Sequence, residues 1–365
     1  MIYLDANATE PLRPEARDAM LAALDVTGNP SSVHQAGRAA RRILEDARET
    51  LAGRFGAHAA NLVFTSGGTE ADALAIHALG RDHRRIIIGA TEHDAVRAAC
   101  PGATILPVDR DGLADLTRLE TLLRDTPSAL VCLMLANNET GTIQPIREAA
   151  HLCRARGALL HVDAVQAAAR IPVDLRQLGA HSLAISSHKL GGPAGAGALL
   201  LASGMDHLAP LIAGGGQERG RRGGTPPVSA IAGFAAAAAA VSSNGLAPLR
   251  DQMEQVALRC GAVLCGAGAE RLPNTTCIAL PGVRADAQVI ALDLDGVAVS
   301  AGAACSSGKV AASHVLTAMG LGPIAGEAIR VSLPWNVTEA DGARFAGAYE
   351  RMAERLTHAL APRAA

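Results

Sequence analysis

Two reactive side chains stand where buried strands of this sequence are predicted to end. Lys189 follows an apolar run and precedes a glycine-rich turn, and Asp163 closes the preceding apolar run. A lysine whose ammonium pKa is lowered by burial or by a nearby cation can attack a carbonyl group. A carboxylate beside it can pair with a protonated ring nitrogen and make a bound heterocycle an electron sink. The alternative for Lys189 is a solvated surface lysine, and the placement of Asp163 at the same edge argues against it.

A Ser-Gly-Gly-Thr turn at 66–69 lies between a predicted strand and a helical pattern that begins at Glu70. Backbone N–H groups and the helix dipole at such a turn favour a phosphate group, and Thr69 adds a hydroxyl donor. A simple turn with a helix N-cap explains the same residues, so this motif by itself leaves both interpretations open.

Cys305 differs from the other cysteines in its surroundings. The chain has seven cysteines, and they form neither a C-x-x-C pair nor a metal-ligand spacing. The others lie in apolar patterns typical of small buried hydrophobic residues. Cys305 lies in a run of Ala, Gly and Ser over 301–308 that is not typical of a core element, so we expect its thiol to face solvent or a cleft.

The elements that position these residues alternate between apolar runs of strand length and amphipathic helical patterns. Near-continuous apolar runs are typical of strands covered on both faces, so we predict an α/β fold with a mainly parallel sheet. In such sheets the ligand site lies at the carboxyl ends of the strands. The predicted strands are 61–65, 85–89, 129–135, 158–163, 182–186 and 197–201.

Length and composition indicate a soluble protein of two domains. The chain has 365 residues, 49% of them hydrophobic, and a formal net charge of -2, without the basic stripe of a nucleic-acid-binding protein. It shows neither a signal-peptide pattern nor an apolar run of membrane-spanning length, so we expect a cytoplasmic protein. We predict a large domain over 13–243 and a smaller α+β domain formed by 1–12 and 244–365.

The segment 203–228 is rich in Gly, Arg and Pro, and we predict a long surface loop there. Loops of that length inside a compact domain tend to be functional, and we expect this one to be ordered by a phosphate group or a partner chain.

Short motifs follow one another along the chain as YLDANAT at 3–9, FTSGGTE at 64–70, TEH at 91–93, NNETG at 137–141, HVDAVQ at 161–166, SSHK at 186–189, RGRRGGT at 219–225, SAGAAC at 300–305 and IRVS at 329–332. This succession resembles the cysteine desulfurases, which are pyridoxal-phosphate enzymes of the class V aminotransferase fold. The resemblance covers nearly the whole chain. It implies the type I fold of pyridoxal-phosphate-dependent transferases.

Pyridoxal 5'-phosphate is the cofactor that the resemblance implies. Lys189 is expected to bind it covalently and His93 to stack on its ring. Asp163 is implied to pair with the ring nitrogen, and Gln166 to hydrogen-bond the phenolic oxygen. Thr225 is implied to reach the phosphate of a neighbouring subunit, so we expect a homodimer. The residues implied to hold the phosphate within one chain are Gly68, Thr69, Ser186 and His188.

L-cysteine is the implied substrate. Arg330 and Asn138 match the residues that grip its carboxylate, and Asn138 also adjoins the cofactor. A guanidinium fork suits a carboxylate, with an ordinary strand-end arginine as the alternative. Lys189 is expected to take the Cα proton, and Cys305 thiolate to attack the substrate sulfur, which leaves L-alanine and a persulfide on Cys305. His93 is a candidate for proton transfer at the substrate thiol.

The acceptor of the sulfur is left open by the sequence. Glu10 stands where the family usually has threonine, and 309–312 reads Lys-Val-Ala-Ala where Leu-Glu-Pro is common. The number of residues from Cys305 to Ser313 favours the long-loop branch of the family, and Lys309 changes the charge that an acceptor meets. We expect a sulfur-acceptor protein or an iron-sulfur scaffold as partner. We expect no resident metal, although Cys305 could ligate a cluster on such a scaffold.

Other activities would use part of the same machinery. An aminotransferase or another class V lyase would share Lys189 and Asp163 but would have no use for Cys305. Selenocysteine lyase activity is compatible with every motif. A sulfur carrier without enzymatic activity would need neither Lys189 nor His93, and both are present.

Overall fold

The computed structural model of the chain describes residues 1–81, 85–126, 128–205, 207–242, 245–302 and 312–360, so Cys305 and Lys309 lie outside the described residues. Its strands are β1 Ile2–Tyr3, β2 Leu62–Thr65, β3 Ile86–Gly89, β4 Thr104–Leu106, β5 Leu130–Cys132, β6 Leu159–Asp163, β7 Ser182–Ser186, β8 Gly197–Leu201, β9 Val263–Leu264, β10 Thr275–Ala279, β11 Val297–Ala298, β12 Ser300–Ala301 and β13 Ala328–Ser332. Its helices are α1 Pro14–Leu24, α2 Gln35–Arg54, α3 Gly68–Leu79, α4 Asp94–Ala99, α5 Leu116–Asp125, α6 Ile146–Ala155, α7 Leu175–Leu178, α8 Val228–Ala240, α9 Ala247–Arg259, α10 Ala285–Leu294, α11 His314–Ala318 and α12 Glu339–Leu360.

The main sheet has, within the described residues, seven strands in the order β2-β8-β7-β6-β5-β3-β4. The strands from β7 to β4 run parallel, and β8 pairs antiparallel with both β2 and β7. The predicted α/β class with a mainly parallel sheet is thereby confirmed. The sequence missed β4, because this short edge strand has two exposed residues and so lacks a continuous apolar run.

Both faces of the sheet are buried, as the apolar runs predicted. Along β8, Ala198 and Leu200 belong to one apolar cluster, whereas Leu199 and Leu201 belong to another. Because successive side chains of a strand point to opposite faces, each cluster covers one face. Helix α3 contributes to the cluster of Leu199, and α2, α5, α6 and α8 contribute to the other.

The C-terminal part forms a second layered unit around the antiparallel sheet β12-β13-β10-β9. The N-terminal β1 pairs with β11, and Ile2 and Leu4 pack in one apolar cluster with Phe345 and Tyr349 of α12. This packing is compatible with a small domain built from both chain ends. The boundaries after residues 12 and 243 remain a prediction, and 243–244 lie outside the described residues.

The segment 203–228 is attached to the main sheet more firmly than its composition indicates. Glu218 is buried, and its carboxylate accepts two hydrogen bonds from Arg48, at 2.7 and 2.8 Å, and one from Phe64 N at 2.9 Å. Arg222 makes a bidentate pair with Glu70 in the first turn of α3. The chain itself therefore orders this segment beside β2 and α3, which the sequence did not indicate. Among the described helices, none is long and apolar enough to cross a membrane.

Candidate active site

Most of the predicted site residues line one cavity of about 460 Å³. Its wall combines the carboxyl ends of strands in the main sheet with the N-terminal segment and with β12 and β13, so it lies between the two layered units. The predicted residues that line it are Gly68, Thr69, His93, Asn138, Asp163, Gln166, Ser186, His188, Lys189 and Arg330. Lining residues that the sequence did not single out include Asp5, Asn7 and Asp72.

Two predicted site residues are not among the described residues that line the cavity. Thr225 is exposed and lies outside the set of lining residues. Cys305 lies outside the described residues, but Gly302, three positions earlier, does line the cavity. The chain therefore enters the segment that carries Cys305 from the cavity wall.

Lys189 ends a short 3-10 turn that follows β7 directly. Its Nζ donates to the backbone oxygens of Asn7 and of Ala8, the second at 2.8 Å. Two carbonyl dipoles thus hold the amine beside the N-terminal segment, on the wall of the cavity. The burial of the strand before it and the glycine turn after it are the features that the sequence had indicated.

Asp163 ends β6 and is 7% exposed. Burial, with a smaller contribution from Asp72, raises the pKa of its carboxyl to about 7, while the N–H of Val165, His93 and His161 act in the opposite direction. The Val165 N–H donates to Oδ1 at 2.8 Å and fixes the orientation of the group. A cation placed against this carboxyl would favour its ionised form, so the site suits a protonated ring nitrogen.

Behind Asp163 lies a buried pair that the sequence analysis did not recognise. His161 Nε2 is 3.0 Å from Asp72 Oδ1, and its Nδ1 is 2.8 Å from Ser182 Oγ. Burial lowers the pKa of His161 to about 4 and raises the pKa of Asp72 well above its usual range, so burial disfavours the charged form of both side chains. His161 and Asp163 share one face of β6 because they are two residues apart, and this spacing is the signal that could have found the pair.

The start of α3 forms a cradle of backbone N–H groups at one end of the cavity. Gly67 precedes the helix without a side-chain cap among the described residues, so the first-turn N–H groups of Gly68 and Thr69 are available. A Cβ on Gly68 would lie 2.7 Å from Val165 Cγ2, so only glycine permits this approach. Burial, and secondly Lys189, lower the pKa of His188 to about 4. The backbone N–H groups of Gly68 and Thr69 and the hydroxyl of Thr69 are hydrogen-bond donors, and together they favour the phosphate interpretation over a simple N-cap.

Arg330 brings a positive charge to the cavity wall. It is 5% exposed, its Nη2 donates to Asp5 Oδ1 at 2.7 Å, and its Nη1 donates to the backbone oxygen of Asn138 at 3.2 Å. Its Nε is buried without a partner among the described residues. Because Arg330 lines the cavity, its guanidinium is placed to pair with a carboxylate that enters there.

His93 also lines the cavity, at the start of α4. Its Nδ1 accepts the backbone N–H of Ala95 at 3.1 Å, which in a neutral ring leaves the proton on Nε2. Gln166 donates from Nε2 to the backbone oxygen of Asn7 at 3.0 Å. Both side chains are therefore held by backbone groups before any ligand enters.

Comparison with known proteins finds similarity over nearly the whole chain. The family model for class-V aminotransferases matches residues 2–345. A cysteine desulfurase of Cereibacter sphaeroides is 42% identical over 380 aligned residues, which cover 99% of this chain and 97% of the relative. A solved NifS-like protein of Rickettsia africae has a TM-score of 0.90 at 35% identity, covering 97% of this chain and 99% of that one. A structure described as SspA in complex with cysteine has a TM-score of 0.82 at 29% identity, covering 92% and 99%.

Proposed function

This chain belongs to the class V aminotransferase family, as its motifs indicated, and we propose that it is a cysteine desulfurase dependent on pyridoxal 5'-phosphate. The observation that carries the proposal is the meeting of Lys189, Asp163 and Arg330 in one cavity. They supply an amine, a counter-ion for a ring nitrogen and a fork for a carboxylate. Similarity to cysteine desulfurases over nearly the whole chain supports the choice of substrate.

The residues of the cavity fit pyridoxal phosphate. The raised pKa of Asp163 has its main cause in burial, and a ring cation would offset that burial. Lys189 would bind the cofactor covalently, His93 would stack on the ring and Gln166 would meet its phenolic oxygen. When bound, the cofactor withdraws electrons from the substrate Cα and so eases removal of its proton. The groups that would hold the phosphate are Gly68, Thr69, Ser186 and His188, with Thr225 of a second subunit.

Substrate binding and proton transfer follow from the remaining groups. Arg330 would hold the cysteine carboxylate together with Asn138, and would then share its guanidinium between that carboxylate and Asp5. Once the substrate amine has taken its place, the Lys189 amine is free to accept the Cα proton, and it lines the same cavity as the carboxylate-binding residues. His93 Nε2 exchanges a proton with the substrate sulfur.

Sulfur transfer needs a second thiol, and Cys305 is the candidate because its segment begins at the cavity wall. Its thiolate attacks the substrate sulfur, the bond from that sulfur to Cβ breaks, and protonation of the remaining carbon skeleton yields L-alanine. One sulfur atom stays on Cys305 as a persulfide for an acceptor protein or an iron-sulfur scaffold. We further propose a cytoplasmic homodimer, in which each subunit supplies Thr225 to the other.

The test compares Cys305→Ser with Cys260→Ser, a control at a half-buried cysteine outside the cavity. After a pulse of L-cysteine without reductant, mass spectrometry should find about 32 Da, one sulfur atom, on the Cys305 peptide of the wild type. Cys305→Ser should retain the bound cofactor but lose alanine and sulfide production. Cys260→Ser should retain the cofactor and the production of alanine and sulfide. Sulfide release by Cys305→Ser at the wild-type rate would disprove the desulfurase assignment in favour of another class V lyase.

A further inference from the structure

Glu139 is a buried carboxyl beside the cavity with no part in the steps above. It follows Asn138 in the sequence and is 2% exposed. Its backbone N–H donates to Asn137 Oδ1 at 2.8 Å, and the same oxygen accepts Thr140 N at 3.0 Å. The turn that presents Glu139 is therefore held from within, so its side chain leaves the backbone in a defined direction.

One oxygen of Glu139 meets both ends of the segment that carries Cys305. Ser313 Oγ donates to Glu139 Oε2 at 2.6 Å. A Cβ built on Gly302 would lie 2.5 Å from the same Oε2 and 3.6 Å from Ser313 Cβ. Gly302 is the last described residue before Cys305 in the sequence, and Ser313 follows shortly after it. The two ends thus converge on one carboxylate oxygen, and a side chain at position 302 would displace that oxygen.

Each end is also tied to a regular element. Gly302 follows β12 directly, and Ser300 of that strand pairs with Arg330 on β13. Ser313 caps α11, because its Oγ accepts Leu316 N at 3.1 Å. The Glu139 carboxylate therefore lies between the end of β12 and the start of α11, and a shift of this group would change the packing at both.

Burial disfavours the ionised form of the Glu139 carboxyl, and a hydrogen bond and a nearby positive charge offset part of this effect. Burial raises the pKa of Glu139 to about 7, the hydrogen bond from Ser313 and the charge of Arg330 lower it, and Asp94 raises it. A buried carboxyl is unfavourable unless hydrogen bonds satisfy it, so the contact with Ser313 stabilises both partners.

We propose that Glu139 is a positioning residue, which fixes where the segment with Cys305 begins and ends and thereby the approach of the thiol to the substrate sulfur. The inference rests on the proposed function, since Cys305 has this task only in a desulfurase. A displacement of about 1 Å in a reacting group can lower a rate on the order of 100-fold. Loss of the contact between Glu139 and the two ends should therefore affect sulfur transfer more than substrate binding.

The experiment uses the cofactor-loaded enzyme and the variants Glu139→Ala, Glu139→Gln and Gly302→Ala. Glu254→Gln is the matched control, because Glu254 is also a buried carboxyl but bonds to Arg271 away from the cavity. Glu139→Ala and Gly302→Ala should lower kcat for alanine formation about 10- to 100-fold while KM for L-cysteine and cofactor absorbance stay unchanged. Glu139→Gln should be closer to the wild type, because its amide oxygen still accepts from Ser313.

A second readout is independent of turnover. Alkylation of Cys305 by iodoacetamide, followed by mass spectrometry of its peptide, should change about threefold or more in Glu139→Ala and not in Glu254→Gln. If wild-type enzyme forms no persulfide, the proposed function fails, and the alkylation rates still test the contact. Wild-type rates of alkylation and turnover in Glu139→Ala would overturn the positioning role, and so would a parallel loss of cofactor or a rise in KM that accounts for the whole defect.

Discussion

The ion pair between Arg48 and Glu218 gives a sharp test of how the segment 203–228 is held. Both side chains are almost fully buried, with 5% and 3% exposed, and Nη1 and Nη2 of Arg48 bond to the two carboxylate oxygens. Glu218→Ala removes the buried counter-ion of the guanidinium and leaves the N–H of Phe64 without its acceptor. The variant should therefore be destabilised, with its effect concentrated at β2 and at the start of α3.

The structure sets the size of the effect. Removal of one partner from a buried pair costs about 3–5 kcal/mol in the free energy of unfolding. Arg48 keeps a hydrogen bond to Leu62 O at 2.9 Å and a contact with Glu45 at 3.1 Å, which places the expected loss near the lower end, about 3 kcal/mol. Replacement of both partners, as Arg48→Met with Glu218→Gln, leaves no buried charge of this pair and should cost clearly less than Glu218→Ala alone.

Urea unfolding of the cofactor-loaded protein, followed by circular dichroism, measures these free energies. Asp46→Ala is the matched control, because Asp46 pairs with Arg42 in an exposed bridge whose side chains are 69% and 84% exposed, and it should cost less than about 0.5 kcal/mol. The reasoning fails if Glu218→Ala costs less than about 1 kcal/mol. It also fails if the double variant loses as much free energy of unfolding as Arg48→Met alone and Glu218→Gln alone added together.

Further predictions concern the cavity itself. Lys189→Ala should fold but should yield no borohydride-fixed cofactor on its peptide, and a pyridoxyl group on Lys309, the only other lysine, would contradict the assignment. Thr225→Val should weaken cofactor binding in equilibrium dialysis about 10-fold, as expected for loss of one hydrogen bond to a charged group, and a monomer by light scattering that turns over cysteine at full rate would refute the shared site. Asp163, with a pKa raised from 3.8 to about 7, keeps a proton in the folded apoprotein that the unfolded chain has already released, so its stabilising contribution is lost as pH rises from 4 to 7. Asp163→Asn should remove up to about 1.4 kcal/mol per pH unit of that slope in urea unfolding, and an unchanged slope would contradict the raised pKa.

The main sheet and much of the cavity could be predicted from the sequence because their signals are local. Strands β7 and β8 begin and end at the predicted residues, since a strand buried on both faces shows an unbroken apolar run. Lys189 and Asp163 were found because the ends of parallel strands meet at one edge of a sheet. The prediction of a phosphate site at the turn 66–69 needed more than the turn's own motif, and it came from the order of motifs along the chain.

Other contacts were decided by the tertiary structure. Asp5 and Arg330 are 325 positions apart, and no local pattern marks an aspartate near the N-terminus as the partner of an arginine on β13. The composition of the segment 203–228 indicates a surface loop, yet Glu218 within it is buried and bonded to Arg48 of α2. No local sequence pattern indicates that Glu139 accepts a hydrogen bond from Ser313. Periodicity along a chain reports which side of an element is buried, whereas the identity of a charged partner depends on how distant elements pack, which the chain encodes only as a whole.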